Sequence, residues 1–245
     1  MYSALFLIIA LLVTSCSSDS NSELPDNNQN PNNSINKIMP LGASRVEGAR
    51  PVFESYRYEL WKDLIDGGYT FDFVGTMNDE STYPSYNANS FDIDHEGRSG
   101  WTSGEIRNGI TNWLSQGEAP DIVLFSSPGG NDALQGLSYS NAIANINAII
   151  DALQTANPNV TIIIEQMAPG RTEIMTPQLT NYFNQIQQDV IAIANTQTTT
   201  TSQVITVDMA TGFTDALLAD DVHYNEDGAQ FIADRYYSLL TSILE

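Results

Sequence analysis

The sequence predicts an α/β protein, a three-layer αβα sandwich around a central parallel sheet of about five strands. Two observations carry this. Short runs rich in apolar and β-branched residues alternate along the chain with longer stretches whose apolar residues recur at helical spacing. The junctions between them carry Gly, Pro, Asn or Asp, the residues that turn a chain. Strands joined through helices make right-handed crossovers, and these give a parallel sheet covered on both faces. No internal repeat or second domain is evident beyond residue 37.

The elements follow in order. Residues 37–41 read as the first strand, and 55–66 as a helix closed by Gly67-Gly68. The second strand is expected at 71–74. Thr102-Ser103-Gly104-Glu105 has the spacing of a capping box, a hydroxyl N-cap with a glutamate three residues on, so a helix should run from there to about 116. An apolar strand follows at 121–125, then a helical face over 143–153. After the turn signal Asn157-Pro158, residues 160–164 are β-branched throughout, and 179–194 return to helical spacing. The fifth strand is placed at 204–207. The last helix, 226–244, sets Phe231, Ile232, Tyr236, Leu239, Leu240 and Ile243 on one stripe.

Thirty acids against nine bases give a net charge of -21, and 42% hydrophobic residues leave material for a sizeable core. Such a field repels phosphate backbones, and the few arginines and lysines are scattered, which excludes nucleic acid as a partner. Near the start, 4–13 is an apolar run too short for a membrane span of about 20 residues, and reads as a signal peptide. It ends in Val13-Thr14-Ser15-Cys16, which resembles a bacterial lipobox, although Met1-Tyr2-Ser3 lacks the usual positive charge. Cys16 is the single cysteine, with no disulfide partner, and lipidation accounts for it in an exported protein. The expected organisation is therefore a signal peptide with lipobox cysteine (1–16), a flexible Asn/Ser/Asp/Pro-rich tether (17–36) and one α/β domain (37–245). The protein is expected at the cell envelope or outside the cell, meeting the membrane only through a lipid anchor on Cys16.

There are two histidines, His95 and His223, and histidine is the side chain best suited to act as a base near neutral pH. His223 follows Asp220 by three residues in a loop before the last helix, a spacing that lets a carboxylate reach one imidazole nitrogen and fix the tautomer. Asp221 is the rival orienter. Ile38-Met39-Pro40-Leu41-Gly42-Ala43-Ser44 runs a strand directly into a small-residue turn, which would present Ser44 as a nucleophile at the carboxyl end of the strand, where open α/β sheets place their sites. This is not the elbow of the α/β-hydrolases, because position 46 is Val and the acid sits beside the histidine. His95 reads as a structural or pocket-wall residue. Trp101 and Tyr83-Pro84-Ser85-Tyr86 could stack on a sugar or line an acyl pocket, or belong to the core.

Four short blocks in fixed order resemble those of the GDSL or SGNH esterases. They are Gly42-Ala43-Ser44, the glycine Gly100 within His95-Glu96-Gly97-Arg98-Ser99-Gly100-Trp101-Thr102, Gly129-Gly130-Asn131-Asp132, and Asp220-x-x-His223. Met39-Pro40-Leu41 before the first block is particularly like the branch containing acetylxylan esterases. The resemblance spans 37 to the end and implies a flavodoxin-like SGNH hydrolase fold and a serine ester hydrolase. It also implies the roles: Ser44 attacks the acyl carbon, His223 carries the proton, and Asp220 orients His223. The oxyanion would be held by the N–H groups of Ser44 and Gly100 and by the Asn131 amide, with no metal or other cofactor. The implied substrate is a short acyl ester, O-acetyl on polysaccharide, with a small acylated molecule as the other form it could take. A general carboxylesterase or lysophospholipase, or a non-catalytic carbohydrate-binding surface protein, are the competing readings. Ala43 departs from the family pattern, which has an aspartate there as a hydrogen-bonding brace of the turn, and Pro128 before the third block is also unusual.

Overall fold

The structure is a computed structural model and describes residues 36–244 together with Met1. Apart from Met1 and Asn36, the expected signal peptide with Cys16 and the tether lie outside the described residues. Residues 36–244 belong to one compact unit.

Among the described residues, seven strands, seven α-helices and one 3-10 turn (Asp215–Leu217) make up this unit. They run β1 (Lys37–Gly42), α1 (Ser44–Glu47), α2 (Arg57–Asp66), β2 (Asp72–Phe73), β3 (Met77–Asn78), β4 (Asp94–Gly97), α3 (Ser103–Leu114), β5 (Ile122–Phe125), α4 (Gly130–Leu134), α5 (Tyr139–Ala156), β6 (Thr161–Gln166), α6 (Pro177–Gln197), β7 (Val204–Asp208) and α7 (Glu226–Leu240). The sheet order is β3-β4-β1-β5-β6-β7, and all pairs are parallel except β3 with β4.

The same edge of β1 is shared by two strands. β2 pairs with its first residues, Lys37 and Ile38, and β4 with its last, Leu41 and Gly42. Taken as one interrupted strand, β2 and β4 give the five-position parallel order expected, with the short antiparallel β3 added outside. The second strand is thus shorter than 71–74, because β4 takes over its place. β4 escaped the sequence reading for a physical reason: Asp94-His95-Glu96-Gly97 is polar, yet His95 and Glu96 are fully buried.

Alternation along the strands builds two cores. Ile38, Leu124, Ile163 and Val207 face one side, against α2 and α7. Met39, Leu41, Val123, Phe125, Ile162 and Ile164 face the other, against α3, α5 and α6. Neighbouring residues of a strand point to opposite faces, so runs apolar at every position are what a sheet covered on both sides requires. A fully buried side chain such as Ile163 contributes about 1.5–3 kcal/mol by leaving water. The helices begin where their caps dictate. Thr102 and Glu105 form the complete capping box of α3, and Thr176 caps α6 with Pro177 in the first turn. Among the described residues no helix is long and apolar enough to cross a membrane.

Candidate active site

At the carboxyl end of β1 the chain turns through Gly42 and Ala43 into α1, whose first residue is Ser44. A Cβ on Gly42 would lie 2.8 Å from Val46 Cγ2 and 3.0 Å from the Ser126 carbonyl oxygen, so any side chain there would crowd α1 and the segment after β5. Ala43 caps α1 without a side-chain hydrogen bond. The Ser44 N–H, in the first turn of a helix, has no intrahelical acceptor and is open to a ligand.

The loop between β7 and α7 carries the histidine. Asn225 anchors its end, accepting from the Gly228 N–H at 2.9 Å and donating to the Ala216 carbonyl at 2.8 Å. Upstream, Asp220 Oδ1 accepts the N–H groups of Val222 and His223 at 2.9 and 2.8 Å, which curls the loop back on itself. Asp220 Oδ2 then lies 2.7 Å from His223 Nδ1, and His223 Nε2 lies 2.8 Å from Ser44 Oγ. Burial, the largest single influence on Asp220, pushes its carboxyl pKa up, but the hydrogen bonds from Val222 and His223 outweigh it and hold the group below its ordinary value. It is therefore an anion when it meets the imidazole. Asp221, by contrast, is 65% exposed and faces Arg171 at 4.0 Å. Of the two acids left open by the spacing, Asp220 is the one brought to His223.

Two neighbours of this relay were not legible as site residues. Phe53 stacks on the His223 ring, with centroids 3.8 Å apart and planes inclined by 12°. It is delivered there by antiparallel bridges that pair Ala49 with Phe53 and Glu54 with Tyr224. Arg45, next to Ser44, is buried beneath the relay. Neither residue belongs to a motif, and only the loop pairing puts them against the histidine.

Beside Ser44 lies a hollow of about 40 Å³, walled by Ala43, Trp101, Ile106, Pro128, Asn131 and Phe183. Asn131, in the first turn of α4, donates one amide hydrogen to the Trp101 carbonyl at 2.8 Å and keeps a second for a ligand. Asp132 accepts from the Ser103 N–H at 2.8 Å and its hydroxyl at 2.7 Å, fastening α4 to the start of α3. That contact brings Trp101 beside Asn131. Gly100 stands one residue outside the wall; its φ of 78° calls for glycine, while an added Cβ would meet nothing within 4 Å. The backbone conformation, not close approach, is what this glycine supplies.

His95 is buried in β4 and accepts the Gly97 N–H on Nδ1 at 3.0 Å. Burial first, then the charge of Arg57, pulls its pKa down to about 3, so it stays neutral and structural, as expected. Trp101 lines the hollow, whereas Tyr83 and Tyr86 pack with Tyr58, Trp61 and Phe91 on the outer flap of the first core. Among the described residues no group of three His, Cys, Asp or Glu is placed to hold a metal ion.

Ser44, His223 and Asp220 thus form a hydroxyl–imidazole–carboxylate chain, and Asn131 faces the same hollow as Ser44. Such a chain can move a proton off a serine hydroxyl, and the hollow beside it can receive a small group. The model of the GDSL-like lipase/acylhydrolase family matches residues 66–231. A carbohydrate esterase family 3 structure from Talaromyces cellulolyticus is similar at 30% identity and TM-score 0.73, covering 85% of this chain and 98% of that one. A mutant acetyl esterase with an acetate ion is similar at 30% identity and TM-score 0.74, over the same shares. A Clostridium thermocellum family 3 carbohydrate esterase is similar at 29% identity and TM-score 0.67, again over 85% and 98%. None of the curated proteins compared with the chain matches it. The match over most of the domain and the likeness across nearly the whole of these esterases establish that the chain belongs to the GDSL-like lipase/acylhydrolase family and is a carboxylic ester hydrolase.

Proposed function

We propose that this esterase removes short acyl groups, O-acetyl above all, from polysaccharide through a Ser44–His223–Asp220 triad. The observation that supports the reading is the continuous relay from Asp220 through His223 to Ser44, at 2.7 and 2.8 Å. Ser44 Oγ attacks the acyl carbon as its proton passes to His223 Nε2, and Asp220 stabilises the imidazolium. The charge that develops on the carbonyl oxygen is met by the Ser44 N–H, the Gly100 N–H and the free Asn131 amide hydrogen. Collapse expels the sugar alkoxide, which takes the proton from His223. A water then deacylates Ser44 by the same route in reverse and releases acetate.

The small volume beside Ser44 supports a short acyl group, because a hollow of about 40 Å³ holds only a few heavy atoms. The polysaccharide part of the proposal leans on the carbohydrate esterases to which the chain is similar. Display at the cell envelope through lipidated Cys16 completes it, on the sequence pattern alone.

The test is release of acetate from acetylated xylan, set beside short and long acyl esters of 4-nitrophenol, by the chain and by Ser44→Ala. The proposal expects turnover of acetyl substrates and background rates for S44A. Preference for long acyl chains would assign a general carboxylesterase or lysophospholipase instead. Absence of turnover of the acetyl substrates by the unmodified chain would overturn the acetyl-ester assignment.

A further inference from the structure

We propose that Arg45 is a positioning residue of this site, clamping the Ser44 helix to the His223 loop where Ala43 provides no side-chain brace. The inference rests on the triad reading above and concerns what holds that triad in register.

Arg45 is only 7% exposed, and a guanidinium removed from water is tolerated only when its donors are met. They are met by three separate segments of the site. Nε donates to the Val222 carbonyl at 2.8 Å. Nη1 donates to the Ala168 carbonyl at 2.8 Å and to Ser127 Oγ at 3.3 Å, and Nη2 donates to the Pro169 carbonyl at 3.0 Å. Val222 sits between Asp220 and His223, Ala168 and Pro169 follow β6, and Ser127 follows β5 and precedes Pro128 in the wall of the hollow. The guanidinium also lies 4.8 Å from the centre of the Tyr224 ring, the residue after His223. A single side chain, one residue from the nucleophile, therefore fixes the loops that hold its base and its acyl hollow. A planar fork with five donors can do this; a lysine ammonium, with three donors on one atom, cannot reach all three segments in these directions.

The clamp has its own anchor. Glu165, fully buried at the end of β6, accepts the Ser127 N–H at 2.7 Å and its hydroxyl at 3.3 Å on Oε2, and the Tyr236 hydroxyl at 2.7 Å on Oε1. The Ser127 hydroxyl thus stands between guanidinium and carboxylate, accepting from one and donating to the other. Ser127 itself has φ of 46°, a conformation that a residue other than glycine keeps only where its surroundings over-determine it. At the far end of α1, Ser55 and Arg57 donate to the Val46 carbonyl and Arg57 also to that of Glu47, but at its start Ala43 makes no side-chain hydrogen bond, and Arg45 is the side chain that ties this end to the His223 loop.

The experiment measures kcat and KM on 4-nitrophenyl acetate, thermal stability, and the rate at which a fluorophosphonate labels Ser44, for the full chain, R45K, R45A and S127A. R45K keeps the charge and the stem but loses the fork. The expected result is a fall in kcat of about a hundredfold with KM little changed, as a misplacement of the reacting groups on the order of 1 Å would give. Labelling should slow in parallel, and added guanidinium should restore part of the activity of R45A. A merely structural role would lower stability and leave kcat of the folded fraction intact. A folded R45K with wild-type kcat, or a loss confined to KM, would overturn the proposal. If both Arg45 variants fail to fold, S127A decides: it keeps Arg45 and cuts its link to Glu165, so kcat should fall several-fold, and an unchanged kcat overturns the clamp. Labelling and turnover by S44A equal to those of the unmodified chain would defeat the triad reading on which the inference rests, an outcome separate from all of these.

Discussion

Exchanging Asp220 for asparagine isolates one feature of the relay. In D220N the oxygen that accepts the Val222 and His223 N–H groups can be kept, so the loop retains its curl. What changes is the atom facing Nδ1, 2.7 Å away, from a carboxylate oxygen to an amide nitrogen. An N–H donor there requires Nδ1 to accept, which moves the ring proton to Nε2, pointing at Ser44 Oγ 2.8 Å away. The histidine then presents a proton where it must take one. In a fully buried triad the same exchange costs about 10⁴ in kcat. Here the Asp220 side chain is 48% exposed, so the charge part of its help is screened by water, while the tautomer part is not. The expected loss is about 10³ in kcat, equivalent to roughly 4 kcal/mol of transition-state stabilisation. KM and the melting temperature should move little. The control is D221N, whose carboxylate faces Arg171 and solvent, and whose kcat should stay within about threefold of the parent. Initial rates on 4-nitrophenyl acetate at saturating substrate would read both. A D220N enzyme within tenfold of the parent, or a D221N enzyme equally impaired, would refute the tautomer argument.

Asn131→Ala should lower kcat by roughly 10²- to 10³-fold if its free amide hydrogen meets the oxyanion, and a loss under tenfold in a folded variant would remove it from that role. Leu134 lines both the hollow beside Ser44 and a trough of about 480 Å³ outside it, so Leu134→Ala should raise kcat/KM for hexanoyl relative to acetyl esters by roughly tenfold; an unchanged ratio would show that the wall lies elsewhere. His95 titrates near 6.5 when unfolded and at about 3 when folded, so the unfolded chain binds the extra proton and stability is lost as pH falls from about 6.5 toward 3, by up to roughly 4 kcal/mol. His95→Asn, which can keep an acceptor for Gly97 but does not titrate, should therefore show a shallower fall in urea midpoint over that window, and parallel curves for the two proteins would count against it.

What the sequence disclosed follows from how each element earns its place. β5 and β6 are buried on both faces and are apolar at successive positions, so their runs were unmistakable. The start of α3 was legible because a capping box is local chemistry, two side chains exchanging bonds with two backbone groups three residues apart. β4 was hidden because it is a polar strand whose buried groups are met one by one, Glu96 by Thr76 and Arg98 and His95 by the Gly97 N–H, which leaves no apolar pattern to read. In the site, Asp220 and His223 announced themselves by spacing, and Ser44 by its place at the end of a strand. Phe53 and Arg45 had no such signal. Their roles come from an antiparallel bridge and from three carbonyls of two distant loops, and no pattern within a few residues of either could have shown them.

These hidden residues share a location, and the location has a physical reason. Buried polar side chains gather at the carboxyl end of the sheet: Arg45 after β1, His95 and Glu96 in β4, Ser126 and Asp132 after β5, Glu165 near the end of β6. The middle of the sheet, from Ile38 to Leu41 and across Val123, Ile163 and their neighbours, is apolar on both faces and holds the fold together. At the carboxyl end the strands stop pairing, backbone groups lose their ladder partners, and side chains must supply the missing bonds. A polar group placed there satisfies the backbone and also sets the loop that leaves the strand. Polar burial at this rim is consequently both a structural necessity and the means of aiming Ser44, His223 and Asn131 at one point. Truncations in the apolar middle should therefore register first as lost stability, whereas changes at the rim can displace the reacting atoms in a protein that remains folded. That separation is why kcat, measured beside stability, can distinguish the two classes of residue.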